Sequence, residues 1–221
     1  MSLQNTIKRR HYLLLFVFGL AVSLVAARFQ PVPGYMDAEY YYACAIRIYE
    51  GYGWTQPFLW NYLDDPLGLP HHSFTYWMPL AALIGAAGMF LAGSTDFFAA
   101  RLVFIMLAAL LPPLTAWLSF QLTQSKQNAT LAGLLAVFPG YYLVYTTLTE
   151  NFTLYMILGS MFLAVAAIFP LNKLNWQRAL LLGVLAGFMH LTRVDGLIWL
   201  LAAQAIGVAW VWKFRQPQQN F

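Results

Sequence analysis

The stretch PGYMDAEYYYACAIRIYEGYGW, residues 33–54, gathers three carboxylates, Asp37, Glu39 and Glu50, beside Arg47 in a chain of which only 9% is charged. The remaining acids are Asp64, Asp65, Asp96, Glu150 and Asp195, and Arg28, Arg101 and Arg193 accompany them. A carboxylate beside a substrate can take a proton, and a guanidinium offers phosphate two parallel hydrogen bonds. Asp37 stands where PVPG ends one apolar run and EYYYACAIRIYE opens a helix that Gly51 stops. An acid in a first helical turn keeps a low pKa. That suits a base, a metal ligand or a plain N-cap. The arginines likewise fit phosphate binding, pairing with the acids, or contact with lipid headgroups.

These charges need a scaffold, and composition names its kind. The 221 residues are 61% hydrophobic and 17% aromatic, whereas soluble domains carry about a quarter charged residues. We expect an all-α polytopic membrane protein, with apolar segments near 12–28, 77–93, 102–122, 129–149, 152–169, 179–192 and 196–212. Seven hydrophobic helices follow, within a single transmembrane module spanning 1–221. KRR before the first run resembles a signal-peptide start, but its length favours an uncleaved helix. The one long polar connection, 29–76, carries an amphipathic helix on which Asp37, Tyr41, Cys44 and Ile48 share a face. A lone Cys44 excludes an internal disulfide. Scattered basic residues without a long run give no sign of nucleic acid as a partner.

Charge placement orients the scaffold. Lys8, Lys126, Lys173 and Lys213 fall in one set of connections and all eight acids fall in the other. With lysines inside, the N-terminus is cytoplasmic, the loop 29–76 is extracytoplasmic, and the chain belongs in the cytoplasmic (inner) membrane. Segment 77–93 then begins and ends on the outer side, as a re-entrant or tilted helix would. Arg28, Arg47, Arg101 and Arg193 lie with the acids, against the positive-inside tendency.

Four stretches in register carry a resemblance. Asp37 with its tyrosine-rich helix and Gly-Tyr-Gly, HHSFTYWMPLAAL (71–83), LTENF (148–152) and HLTRVDG (190–196) resemble the N-terminal seven-helix module of GT-C-fold glycosyltransferases. The likeness is to the protein O-mannosyltransferases and lipid A aminoarabinose transferases, which use polyprenyl-phosphate sugars. It implies inverting transfer of a sugar to an acceptor on the outer side of the membrane. Asp37 would be the catalytic base, and Glu150 a second catalytic acid shaping the site or holding a metal. His71 and Arg193 would steady the lipid phosphate, with Glu39, Tyr76 and Arg101 as further substrate-binding residues. A divalent metal is allowed by the likeness without being required. Membrane lipid and a polyprenyl-phosphate-linked sugar are the expected partners. Full-length relatives continue with more helices, so a second polypeptide supplying them, or a non-catalytic scaffold role, is the alternative.

Other features have plainer readings. Ala38 separates Asp37 from Glu39, where relatives often hold two adjacent acids. His190 reads as a core histidine, and adjacent His71 and His72 lack a usual zinc spacing. The tyrosines and tryptophans of 35–77 suit an interfacial belt as well as stacking on sugar rings.

Overall fold

A computed structural model describes residues 7–59, 67–168 and 175–215. Asp64, Asp65 and Lys173 lie outside the described residues. Within them the protein is all-α: α1 (Arg9–Arg28), α2 (Met36–Tyr49), α3 (Leu80–Ala92), α4 (Phe97–Thr123), α5 (Lys126–Val137), α6 (Asn151–Leu163), α7 (Trp176–Thr192) and α8 (Leu197–Arg215). A two-residue antiparallel ladder, Thr55–Gln56 against His71–His72, closes the base of the loop after α2. Helices in this chain end where the sequence supplies stops. Asp96 caps α4 by accepting from the Ala99 N–H at 2.8 Å, and Gly93 ends α3 in the left-handed region at φ 67°.

Each of the seven expected apolar segments holds a helix, but length divides them. Four stretches are long and apolar enough to cross a membrane: Arg9–Arg28, Phe97–Thr123, Asn151–Ile168 and Val194–Trp212. At about 1.5 Å per residue, the 13 residues of α3 rise only about 20 Å, against a hydrocarbon thickness of about 30 Å. The segment 129–149 departs most from expectation. Its helix stops at Val137, Pro139 and Gly140 (φ 60°) break it, and a 3-10 turn over Gly140–Val144 leads into irregular backbone. That broken stretch delivers Glu150 to the start of α6.

The long helix α4 is the hub, packing against α1, α3, α5 and α6. At its middle, which holds Pro112 and Pro113, Pro112 meets α1 and α5 at glycines. A methyl on Gly19 would come within 3.0 Å of the Pro112 ring, and one on Gly133 within 3.2 Å of the Pro112 carbonyl. Only residues without a side chain allow helices this close. His11 and Thr130 meet at 3.2 Å at the end that carries Lys8 and Lys126. Thr147 reaches Gln30 at 2.9 Å at the opposite, acid-bearing end. Among the described residues, Lys8 and Lys126 therefore lie at one end of this helix group and Asp96 and Glu150 at the other.

Helix α2 is anchored by aromatic packing. Tyr40 meets Tyr41, Phe58, Phe74 and Trp77 edge-on, with Trp77 nearest at 5.0 Å between ring centres. Tyr40, Tyr41, Cys44, Ala81, Ala82, Phe104 and Leu154 form one buried cluster. Burial pushes the Cys44 thiol up to about 12, so it is a packing residue and not a nucleophile.

Candidate functional site

The first turn of α2 is pinned by three consecutive residues that precede and open α6. Thr149 Oγ1 donates to the Ala38 carbonyl at 2.8 Å, Glu150 Oε2 accepts from the Tyr35 hydroxyl at 2.7 Å, and Asn151 Nδ2 donates to the Tyr41 hydroxyl at 2.8 Å. These bonds hold Asp37, in the second position of α2, against a cavity of about 540 Å³. Tyr76 and Trp77 from the loop before α3, Asn151 from α6, and Arg193 and Asp195 from the turn between α7 and α8 are among the residues that line it. Gly196 makes that turn possible. A methyl group there would lie 2.5 Å from the His190 backbone, so only glycine lets the chain fold back and present Arg193.

Three residues singled out from sequence thus share one cavity: Asp37, Arg193 and Tyr76. Glu150 stands behind them, 2% exposed, its second oxygen accepting from the Asn151 N–H at 2.6 Å. It caps α6 and orients Tyr35; it does not line the cavity. The Arg193 guanidinium lies at the rim, half-exposed and paired with Asp195 at 3.0 Å. Its Nη1 is not engaged by any described residue. Exposed pairs of this kind are worth about 0–1 kcal/mol, so an incoming phosphate can replace the Asp195 carboxylate at little cost.

The structure does not bring Glu39, His71 or Arg101 to this cavity. Glu39 is exposed and faces a separate groove with Met36, Phe58 and Leu59, because a step of two helix positions turns it about 200° away from the Asp37 face. His71 pairs with Gln56 in the ladder and lines no part of the cavity. Arg101 is 3% exposed, and its two Nη groups donate to the Gln30 and Ala27 carbonyls at 2.6 Å each. It satisfies the open end of α1 and lies 4.6 Å over the Phe97 ring. Asp37 is also no N-cap. Tyr35 holds that position without a side-chain bond.

Electrostatics differ from the expectation of a low carboxylate pKa. Burial pushes the Asp37 carboxyl above its ordinary range, with the positive charge of Arg193 pulling in the opposite direction. Burial likewise raises Glu150; its bonds from Tyr35 and the Asn151 N–H oppose this, while the charge of Asp37 adds to it. Removal from water outweighs the helix end at both sites. The result is a carboxylate of enhanced basicity, facing a cavity with a cation on its rim.

Sequence reasoning did not single out Tyr41, Trp77 or Asn151 as cavity residues. Their signal is spacing: Tyr41 follows Asp37 by four residues, one helical turn, and Asn151 follows Glu150 directly. No group of three His, Cys, Asp or Glu side chains gathers among the described residues, and the cavity's carboxylates share it with a guanidinium. No protein-family model, curated protein or solved structure matches the chain.

Proposed function

We propose that this protein is an inverting glycosyltransferase of the GT-C kind, moving a sugar from a polyprenyl-phosphate carrier to an acceptor on the acid-bearing, extracytoplasmic side of the membrane. The observation that carries the reading is the meeting of Asp37 and Arg193, remote in sequence, on one cavity at the acid-bearing end. The four motifs in register support it, as do four helices fit to cross a membrane. Arg193 holds the donor phosphate by exchanging Asp195 for it. Tyr76 and Trp77 offer ring faces to the sugar. Asp37 takes the proton of the acceptor hydroxyl or amine as that atom bonds to the anomeric carbon. The bond from that carbon to the phosphate oxygen breaks, and polyprenyl phosphate leaves with the electron pair. Attack opposite the leaving group inverts the centre. A positioned cation facing the departing phosphate, and a positioned base, are the two contributions the residues can make.

One observation favours a second reading, a non-catalytic lipid-binding scaffold: Arg193 already has a carboxylate partner, and both oxygens of Glu150 are taken internally. The full chain in detergent, given polyprenyl-phosphate hexose and pentose donors with hydroxyl and amine acceptors, separates the two. Transfer by wild type that falls about 100-fold or more in Asp37→Asn supports the enzyme. Equal transfer by both removes Asp37 as base, and donor binding without transfer by either leaves the scaffold.

A further inference from the structure

Asn151 is 6% exposed and lines the cavity, yet its Oδ1 has no hydrogen-bond partner. Its Nδ2 donates to the Tyr41 hydroxyl. Tyr41, 1% exposed and also lining the cavity, thereby uses its oxygen as an acceptor, and no described residue accepts its hydrogen. Asn151 and Tyr41, in the wall beside Asp37, thus hold one unmet acceptor and one unmet donor on adjacent, bonded groups. Turning the amide over exchanges the two roles and leaves the same pairing. Buried polar groups without partners are rare and costly, and such a pair calls for a partner that enters through the cavity, an ordered water or a ligand group that replaces it.

The chemistry of that ligand is narrow. An ammonium has no lone pair to accept from Tyr41, while a phosphate or ether oxygen has no hydrogen to give Asn151. A neutral hydroxyl does both. We infer that Asn151 and Tyr41 form a subsite for one neutral hydroxyl of a bound sugar, making them specificity-determining residues of the cavity. The inference rests on the proposed reading for the carrier to which the sugar is attached, but not for the hydroxyl itself. A site built to bond a hydroxyl rejects the analogue lacking it, because its own buried groups are then stranded.

The test uses the full chain in detergent and two ligand sets, each with a parent hexose and its monodeoxy and monoamino analogues: decaprenyl-phosphate hexoses and methyl hexosides. Wild type is expected to bind the parent about 10-fold or more tightly than one deoxy analogue and its amino counterpart. Asn151→Leu should reduce that ratio to about twofold or less. Asn151→Asp, which still offers an acceptor, should retain the preference over the deoxy sugar. Tyr41→Phe, which leaves Asn151 in place, should also flatten the ratio and serves if Asn151→Leu does not fold. Equal binding of all analogues by wild type, an unchanged ratio in both folded variants, or no sugar binding in either set overturns the inference. Hydroxyl-selective binding of methyl hexosides without any affinity for decaprenyl-phosphate ligands sinks the carrier reading and leaves the subsite standing. Asp37-dependent transfer with no effect of Asn151 or Tyr41 does the reverse.

Discussion

The joint between α1 and α4 and the joint between α7 and α8 each place an arginine at the acid-bearing end, and the two arginines have opposite fates. Arg101 is sealed under Phe97, with two backbone carbonyls of the α1 end on its Nη groups. Arg193 stands at a cavity rim with an exposed carboxylate beside it. More than half of the α4 span is buried, against almost none of the α8 span. A buried guanidinium holds a helix end together, whereas a half-exposed one keeps donors free for a ligand. The environment decides the role, not the residue type or its side of the membrane.

This contrast is open to direct attack. Arg101→Leu should show the largest effect, a loss of about 3 kcal/mol of stability, read as a lowered melting temperature in detergent. It removes the donor to the Gln30 carbonyl and leaves the Ala27 carbonyl with only the Gln30 N–H. Arg193→Gln should leave stability within about 1 kcal/mol yet weaken binding of polyprenyl phosphate by about 10-fold, the scale of one charge-assisted pair. A large melting shift in Arg193→Gln, or none in Arg101→Leu, would reverse the assignment.

The smallest effect lies in pH. If Asp37 is the base of the proposed transfer, the rate should rise along an acid limb set above the ordinary carboxylate range by burial. Because the charge of Arg193 pulls that pKa down, Arg193→Gln should move the limb to higher pH. For stability the sign follows from the same shift. An acid whose folded pKa is raised binds its proton better when folded, so its contribution falls as pH climbs from the unfolded value through the folded one. Asp37→Asn should flatten that segment of the stability profile.

The chain's helices were largely legible from apolar runs. The boundaries of α2 follow from PVPG before it and Gly51 after it, both visible as punctuation. The span 129–149 misled because its apolarity continues through Pro139 and Gly140, and hydropathy does not register a backbone that has turned. Asp37 and Arg193 were recognisable as charges out of place. Asn151 was not, since an amide in a Thr-Glu-Asn run looks like any helix start, and only burial exposes its unmatched oxygen. Glu39, His71 and Arg101 carry suitable chemistry, but helix phase, strand pairing and an open helix end claim them first. Such claims depend on partners far away in the sequence.

The enclosure of Cys44 has a practical outcome. A thiol with 1% of its surface exposed and a pKa lifted to about 12 should be silent toward maleimides at neutral pH. The natural chain is thus its own blank for chemical mapping. A cysteine introduced at Tyr76, 70% exposed at the cavity mouth, would be the sole reactive handle, and an impermeant reagent applied to intact cells would report which compartment that mouth opens into.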